Sequence, residues 1–321
     1  MLRNTATRAC LLAGAATVVM AAAVGSANAE GDPESCESVE IANVGWTDIT
    51  ATTGVAEVLL AGLGYQPEVT VASVPITFEG LARGDIDFFL GLWMPTMDGM
   101  IEQHLEAERI EQMGANLEGA KYTLAVTQGA YEAGLTSFGD IADHADLVGE
   151  QIFGIEPGND GNLLIEGMIA EDAFGLSDFT LVESSEQGML IEVQRRADRG
   201  EESVFLGWEP HPMNRTLDME YLTGGEDWFG PDLGGATIYT LARTGLADDC
   251  PNIYRLLENL QFTLEMENEL MAYILDDGME GDEAAELMLT NDASPLEGWL
   301  DGVTTIDGGD GEAAVRDHLG L

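Results

Sequence analysis

The chain has very few basic residues. It contains 12 Lys and Arg against 59 Asp and Glu, which gives a formal net charge of −47, and Lys121 is the only lysine. Nucleic acids and anionic membrane surfaces are also negatively charged, so we expect neither as a partner. We attribute most of the acidity to a salt-adapted, halophilic surface. Attraction of cationic ligands is a weaker consequence, because salt screens it.

Signatures of catalysis are scarce as well. No G-x-S-x-G elbow, phosphate-binding loop or G-x-G-x-x-G motif occurs, and the histidines lack metal-ligand spacing: His104, His144, His211 and His318. A lone histidine such as His211 in EPHP is more often structural than catalytic. The acidic turn DGGDGE at 307–312 lacks the spacing of an EF-hand. We therefore predict no enzyme, no metal site and no cofactor.

The N-terminal region has the pattern of a secretory signal peptide. Arg3 and Arg8 precede an apolar run that ends near Val24, and Ala27-Asn28-Ala29 fits the small-residue cleavage pattern. The run is short for a membrane span, and no later segment is apolar enough, so we expect no membrane insertion. We predict that residues 1–29 are removed and that the remaining protein is periplasmic.

Cysteine is rare, with three in the chain. One lies in the predicted signal peptide, which leaves Cys36 and Cys250 for the exported protein. In an oxidising compartment two remaining cysteines predict one disulfide, with two unrelated thiols as the alternative. A bond between positions more than 200 residues apart would place the early and late parts of the chain in one domain.

Short β-rich runs alternate with helical patterns, which predicts an α/β architecture. Strands are predicted at 39–45, 69–74, 86–93, 121–127, 179–184, 203–212 and 236–243, and helices at 50–64, 76–83, 96–108, 186–200 and from 249 onward, with a strand, a turn and a helix in 152–176. Two stretches share a strand, Gly, Trp and Pro: DFFLGLWMP (87–95) and VFLGWEPHP (204–212). Either this is coincidence, or two similar lobes present strand ends to one cleft.

Three of the five tryptophans lie at or near the ends of predicted strands, namely Trp46, Trp93 and Trp208, and Tyr122 lies at the start of another. Each alone is typical of a packed core or a domain interface. Together they indicate an aromatic cage, which holds quaternary ammonium groups because the negative ring faces attract a cation that has no N–H. An amino acid or polyamine has N–H donors and would need several carboxylates, so such a ligand is the less favoured alternative.

Two polar residues belong with this set. Asp48, next to Trp46, would add negative charge or accept a hydrogen bond from a hydroxyl group. Asn159, in the turn EPGNDGN, can donate or accept at the polar end of a ligand. The alternative for Asp48, and for Asn159 or Asp160, is helix capping.

These motifs resemble those of substrate-binding proteins of the glycine betaine/choline ABC-transporter group, and most of all its periplasmic choline-binding members. The resemblance covers essentially the whole chain after the signal peptide and is carried by GWTDITATT, FFLGLWMPTM, KYTLAV, GIEPGNDGN and FLGWEPHPMN. It implies a four-residue cage, a carboxylate that contacts choline, an amide at the polar tail and a disulfide: Trp46, Trp93, Tyr122 and Trp208; Asp48; Asn159; Cys36 with Cys250.

The resemblance further implies a two-lobed periplasmic-binding-protein fold (type II), with two hinge strands and a ligand cleft between the lobes. Lobe 1 would comprise 30–118 and 216–321, and lobe 2 would comprise 119–215. The implied function is capture of choline by hinge closure and its delivery, by a monomer, to an ABC permease and ATPase complex. A glycine betaine or proline betaine binder is the alternative. Asp48 favours choline, because it would repel the betaine carboxylate.

Overall fold

The computed structural model describes residues 1–2 and 31–321. The predicted signal peptide and its cleavage near Ala29 lie outside the described residues, apart from the first two, and stay predictions. In the described part of the chain, no helix combines the length and the apolar composition that crossing a membrane requires.

Regular elements follow one another closely through residues 31–321. The strands are β1 Ser38–Asn43, β2 Gln66–Val71, β3 Phe88–Met94, β4 Ile110–Thr127, β5 Gln151–Phe153, β6 Thr180–Val182, β7 Val204–Glu209, β8 Met219–Tyr221 and β9 Gly235–Arg243. The helices are α1 Thr47–Gly62, α2 Val74–Arg83, α3 Asp98–Glu106, α4 Gln128–Glu132, α5 Ala145–Val148, α6 Asp160–Ala170, α7 Glu186–Asp198, α8 Met213–Thr216, α9 Glu226–Phe229, α10 Pro231–Gly234, α11 Leu246–Asp249, α12 Pro251–Asn259, α13 Leu264–Asp276, α14 Gly281–Asn291, α15 Pro295–Trp299 and α16 Gly311–Leu319.

All of these strands belong to one mixed sheet in the order β2-β1-β3-β9-β4-β7-β5-β6, with β8 beside β4. Strands β1 to β3 are parallel and are connected through α1 and α2. Strands β5 to β7 repeat this arrangement with α6 and α7 between them. The α/β prediction is confirmed, and the two strand–Gly–Trp–Pro stretches are the third strands, β3 and β7, of topologically equivalent units.

Strand β4 joins the two units. Its first part pairs antiparallel with β9 from Ile110 to Lys121, and its second part pairs with β7 from Lys121 to Val126. Three register shifts interrupt the pairing with β9, and such bulges bend a strand. We call the elements on the first part, together with the helices from α11 onward, lobe 1, and those on the second part lobe 2.

The exact boundaries of the lobes stay a proposal. The predicted first crossing at 118/119 lies inside β4. Beyond the predicted return at 215/216, β8 still pairs with the second part of β4. We therefore propose that the chain returns to lobe 1 near Gly235, where β9 begins.

The predicted disulfide between Cys36 and Cys250 is confirmed. Their Cα atoms are 5.9 Å apart, and 214 positions separate them in the sequence. Cys36 directly precedes the strands of lobe 1, and Cys250 caps α12 in the same lobe. The early and late parts of the chain therefore share one lobe, as the cysteine argument required.

Candidate ligand-binding site

A small cavity lies between the lobes, beyond the carboxyl ends of the parallel strands, which is the usual ligand position in α/β sheets. The space free of protein atoms there, including the part open to solvent, is about 280 Å³, and it is lined by Trp46, Asp48, Trp93, Tyr122, Ile155, Asp160 and Trp208. Lobe 1 contributes the first three of these residues, and lobe 2 contributes the other four.

The turn after β1 places Trp46 and Asp48 at the cavity. The side-chain oxygen of Asn43 accepts a hydrogen bond of 2.7 Å from the N–H of Gly45, whose φ of +85° suits glycine. Helix α1 then begins at Thr47, with Trp46 in extended conformation at its N-cap. Asp48 lies inside the first turn and is not the N-cap residue. The helix-cap alternative therefore does not account for it.

Lobe 2 presents an equivalent helix start. Asn159 is the N-cap of α6, and its side-chain oxygen accepts a hydrogen bond of 2.9 Å from the N–H of Asn162. Asn159 is buried behind the cavity lining, with the Tyr122 hydroxyl 3.4 Å from the same oxygen. Its contact with a ligand stays a prediction. The next residue, Asp160, lines the cavity, although the sequence suggested only a possible cap for it.

The four aromatic residues converge on the cavity. Tyr122 in β4 is the register partner of Trp208 in β7, and their ring centroids lie 6.1 Å apart at 83°. The centroids of Trp93 and Tyr122 are 5.8 Å apart at 62°. Because these pairs meet edge to face, the rings surround a space instead of stacking. All four side chains are buried, with Trp46 the most exposed at 6%.

Glycines fix the position of Tyr122. A Cβ atom on Gly161, at the start of α6, would lie 2.1 Å from the Tyr122 hydroxyl oxygen. A Cβ atom on Gly234 would lie 2.0 Å from the Tyr122 carbonyl oxygen, and Gly234 has a φ of +70°. Both close approaches to Tyr122, at Gly161 and at Gly234, require a residue without a side chain.

Burial raises the pKa of Tyr122 well above its usual value, so its hydroxyl stays neutral.

The cavity is acidic and contains no Lys or Arg in its lining. Burial, and next the charge of Glu186, raise the pKa of Asp48 to about 7. Burial raises the pKa of Asp160 to about 6. Among the described residues, neither oxygen of Asp160 nor Oδ1 of Asp48 has a partner in good hydrogen-bond geometry, although the nearby Thr96 hydroxyl partly opposes the rise in the pKa of Asp160. Buried carboxyl groups without partners are costly, so this site suits a ligand that brings positive charge or a donor.

Known proteins are similar to this chain over most of its length. A solved ABC-transporter choline-binding protein in complex with choline is 51% identical, and the match covers 90% of this chain and 100% of that one with a TM-score of 0.89. An ABC-transporter choline-binding protein in an unliganded semi-closed conformation is 52% identical over the same shares, with a TM-score of 0.83. A glycine betaine/carnitine transport binding protein from Listeria monocytogenes is 28% identical over 166 residues, which are 52% of this chain and 54% of that one.

The family match extends over most of the chain and includes the whole cavity lining. The substrate-binding domain of ABC-type glycine betaine transport systems matches residues 37–291, which include every residue of the cavity lining. The solved relatives also share the mixed α/β periplasmic-binding-protein fold. The chain therefore belongs to the family of substrate-binding domains of ABC-type glycine betaine transport systems, whose members are transport binding proteins and not enzymes.

Proposed function

We propose that this chain is the choline-binding component of an ABC importer, which captures choline outside the cytoplasm and delivers it to a permease and ATPase complex. One observation carries the proposal: a single cavity combines four aromatic rings with two buried carboxyl groups and no cationic side chain. The choline complex of the 51% identical relative supports the same ligand.

The chemistry of choline fits each part of this lining. Its trimethylammonium group has no N–H to satisfy, and the aromatic faces attract its charge while its methyl groups bury apolar area. Its hydroxyl group can donate a hydrogen bond to an ionised carboxylate. Asp48 and Asp160 offer acceptor oxygens that have no partner among the described residues. When one of the two aspartates accepts the hydrogen bond from the choline hydroxyl, the carboxylate of the other lies close to the positive charge.

Both lobes are needed to enclose the ligand. Lobe 1 provides Trp46, Asp48 and Trp93, and lobe 2 provides the remaining lining. A ligand bound to one lobe would touch half of the cage, so its contacts favour the closed arrangement. The proposed mechanism is hinge closure around choline, with the bend in β4.

Glycine betaine is the second candidate, because the matching family is described by glycine betaine transport and the Listeria relative carries glycine betaine in its name. Betaine has the same trimethylammonium group but ends in a carboxylate. That carboxylate would share a desolvated cavity with Asp48 and Asp160. Like charges there should cost more than about 1.4 kcal/mol, or about tenfold in affinity, so the lining favours choline.

Titration calorimetry on protein freed of ligand by unfolding and refolding in high salt tests this proposal. We would titrate choline, glycine betaine and 3,3-dimethylbutan-1-ol, a neutral molecule of the same shape as choline. Choline should bind at least about tenfold more tightly than either of the others. Equal affinities for choline and betaine would contradict the role of the carboxyl groups. If the folded protein binds neither choline nor glycine betaine, the cage is refuted.

A variant tests the cage itself. Trp208→Ala should weaken choline binding by at least about tenfold, because it opens one wall and removes a cation–π contact. Trp228→Ala is the matched control, since Trp228 lies on α9 and is not part of the lining. Equal choline affinity for Trp208→Ala and the control would contradict the cage.

A further inference from the structure

Few polar contacts join the two lobes across the cleft. Within residues 31–321, three hydrogen bonds do so, apart from the Lys121–Glu209 contact between the register partners on β4 and β7 where the lobes meet. The Trp46 indole N–H donates to Glu156 Oε1 at 2.6 Å, and the other two connect Thr47 with Glu186. Neither Thr47 nor Glu186 lines the cavity. Their contact therefore joins the lobes without being part of the ligand lining.

The Thr47–Glu186 contact links two helix starts. Thr47 is the first residue of α1 in lobe 1, and Glu186 is the first residue of α7 in lobe 2. Glu186 Oε2 accepts the Thr47 backbone N–H at 3.0 Å, and Oε1 accepts the Thr47 hydroxyl. An N–H in the first turn of a helix has no acceptor within that helix. The carboxylate supplies one from the opposite lobe and lies at the positive end of the α1 dipole.

His211 fixes the orientation of this carboxylate. Its Nδ1 accepts the backbone N–H of Met213 at 2.9 Å, so a neutral ring carries its proton on Nε2. That nitrogen lies 3.1 Å from Glu186 Oε1. The His211 ring also packs edge to face on Trp208, with centroids 5.1 Å apart. Glu186 and His211 are both 2% exposed, so water does not compete for these bonds.

We propose that Glu186, oriented by His211, is a positioning residue that fastens lobe 2 to Thr47 of lobe 1 and thereby determines how long the ligand stays bound. We call this contact the Thr47–Glu186 latch. The inference rests on the proposed function only for the identity of the ligand. Three donors, two from Thr47 and one from His211, converge on two carboxylate oxygens. A glutamine there offers one acceptor oxygen and turns an NH₂ group toward a donor.

Dissociation kinetics test the latch. Stopped-flow tryptophan fluorescence would follow choline release from the wild-type protein and from Glu186→Gln and Thr47→Val. Each variant should release choline at least about tenfold faster, which corresponds to about 1.4 kcal/mol, with little change in the association rate. Thr47→Ser keeps the hydroxyl and should restore the wild-type rate. Release within about twofold of wild type in both latch variants overturns the proposal.

Two matched controls separate the latch from general damage. Glu202 accepts the Thr127 hydroxyl and the Ala130 N–H, which is the same chemistry confined to lobe 2. Thr53 carries a buried hydroxyl on α1 that has no hydrogen-bond partner among the described residues. Glu202→Gln and Thr53→Val should therefore leave the release rate within about twofold of wild type. Faster release in both controls would overturn the assignment to the latch.

A measurement on ligand-free protein tests the latch independently of the proposed function. Spin labels on Val71→Cys and Ile191→Cys, which are exposed positions of lobes 1 and 2, report the distance between the lobes by pulsed electron resonance. Glu186→Gln should shift ligand-free protein toward longer distances, and adding Thr47→Val should give little further change. An unchanged distribution, or additive shifts, would overturn the latch even if choline fails to bind.

Discussion

At the scale of single residues, Asp48 and Asp160 are the most informative pair in the molecule. Each follows the first of the three parallel strands in its lobe, β1 or β5, and lies in the first turn of the next helix, α1 or α6. Each is buried, with a raised pKa. The sequence motif GWTD drew attention to Asp48, whereas PGND drew it to Asn159. The similarity of the two helix starts points to Asp160 as well, because it is the first residue of α6 and Asp48 is the second residue of α1.

These two carboxyl groups make choline affinity depend on pH. A bound cation favours the ionised carboxylate, so choline lowers their pKa values from about 7 and about 6 and binding releases protons. Affinity should be highest above about pH 8 and fall as pH decreases through 7 to 5, by up to about tenfold per pH unit for each proton released. Calorimetry at several pH values, in buffers of different ionisation enthalpy, measures both the affinity and the proton count.

Asp48→Asn supplies the control for this pH dependence. It removes the group with the higher pKa, so the fall in affinity should begin about one pH unit lower than in the wild type. Choline binding should also be weaker at every pH, because the asparagine carries no charge. A wild-type affinity that is constant between about pH 5 and pH 8 would contradict the assignment of these carboxyl groups to the cation.

At the scale of elements, the start of α6 determines where Tyr122 can lie. Gly161→Ala would place a methyl group 2.1 Å from the Tyr122 hydroxyl oxygen, so the ring or the helix must move. Overpacking of this kind costs about 1–3 kcal/mol and would displace one wall of the cage. We expect choline affinity to fall at least about tenfold, as measured by calorimetry.

Gly99→Ala is the matched control for this helix start. Gly99 lies in the first turn of α3, and a Cβ atom there would meet nothing within 4 Å. Alanine is also the better helix former, so the fold should tolerate it. Equal choline affinities for Gly161→Ala and Gly99→Ala would show that the approach to Tyr122 is not tight.

The same scale shows what the sequence reveals about the fold. Buried strands such as β3 and β7 are continuous apolar runs, and the structure confirms them near their predicted positions. The first part of β4 was missed, because its outer residues are polar and glycine interrupts it at Gly114 and Gly119. Its strand character comes from pairing with β9, which local patterns do not encode. Short β8 was missed for the same reason.

Some residues of the site were likewise predictable from the sequence, and others were not. Aromatic residues at strand ends are visible in the sequence, and the structure brings Trp46, Trp93, Tyr122 and Trp208 together. Glu186 and His211 were not visible as a pair, because 25 positions separate them and, although His211 lies in FLGWEPHPMN, Glu186 belongs to none of the quoted motifs. Glu186 follows β6 and His211 follows β7. Their side chains meet because these parallel strands end at the same edge of the sheet. Only the assembled lobes show that Thr47 contacts Glu186.

At the scale of the whole molecule, charge repulsion dominates the surface. With 59 acidic and 12 basic residues, most carboxylates have no cationic partner. Salt screens this repulsion, since the Debye length falls from about 10 Å at 0.1 M to about 3 Å at 1 M. The melting temperature should therefore rise as potassium chloride increases from about 0.1 M to about 1 M, which differential scanning calorimetry measures.

Comparing salts identifies the cause of this stabilisation. Screening depends on ionic strength, so sodium and potassium chloride should give the same rise, most of it below about 1 M. A melting temperature that stays constant or falls with salt would contradict a charge-limited stability. The ligand-free protein is the right sample, because bound choline adds its own stabilisation.

The pairing of β4 with β9 has a consequence for how this molecule can be rebuilt. Lys121 and Gly235 are register partners, so the chain leaves lobe 1 and re-enters it at adjacent points. With the lobe boundaries proposed above, lobe 2 is a single cassette, residues 122–234, inserted at one position of a lobe that closes its own disulfide. Exchanging that cassette replaces four of the seven lining residues in one step and leaves Trp46, Asp48 and Trp93 in place. Ligand preference can therefore be recombined between relatives by one insertion, without redesign of the disulfide-bonded lobe.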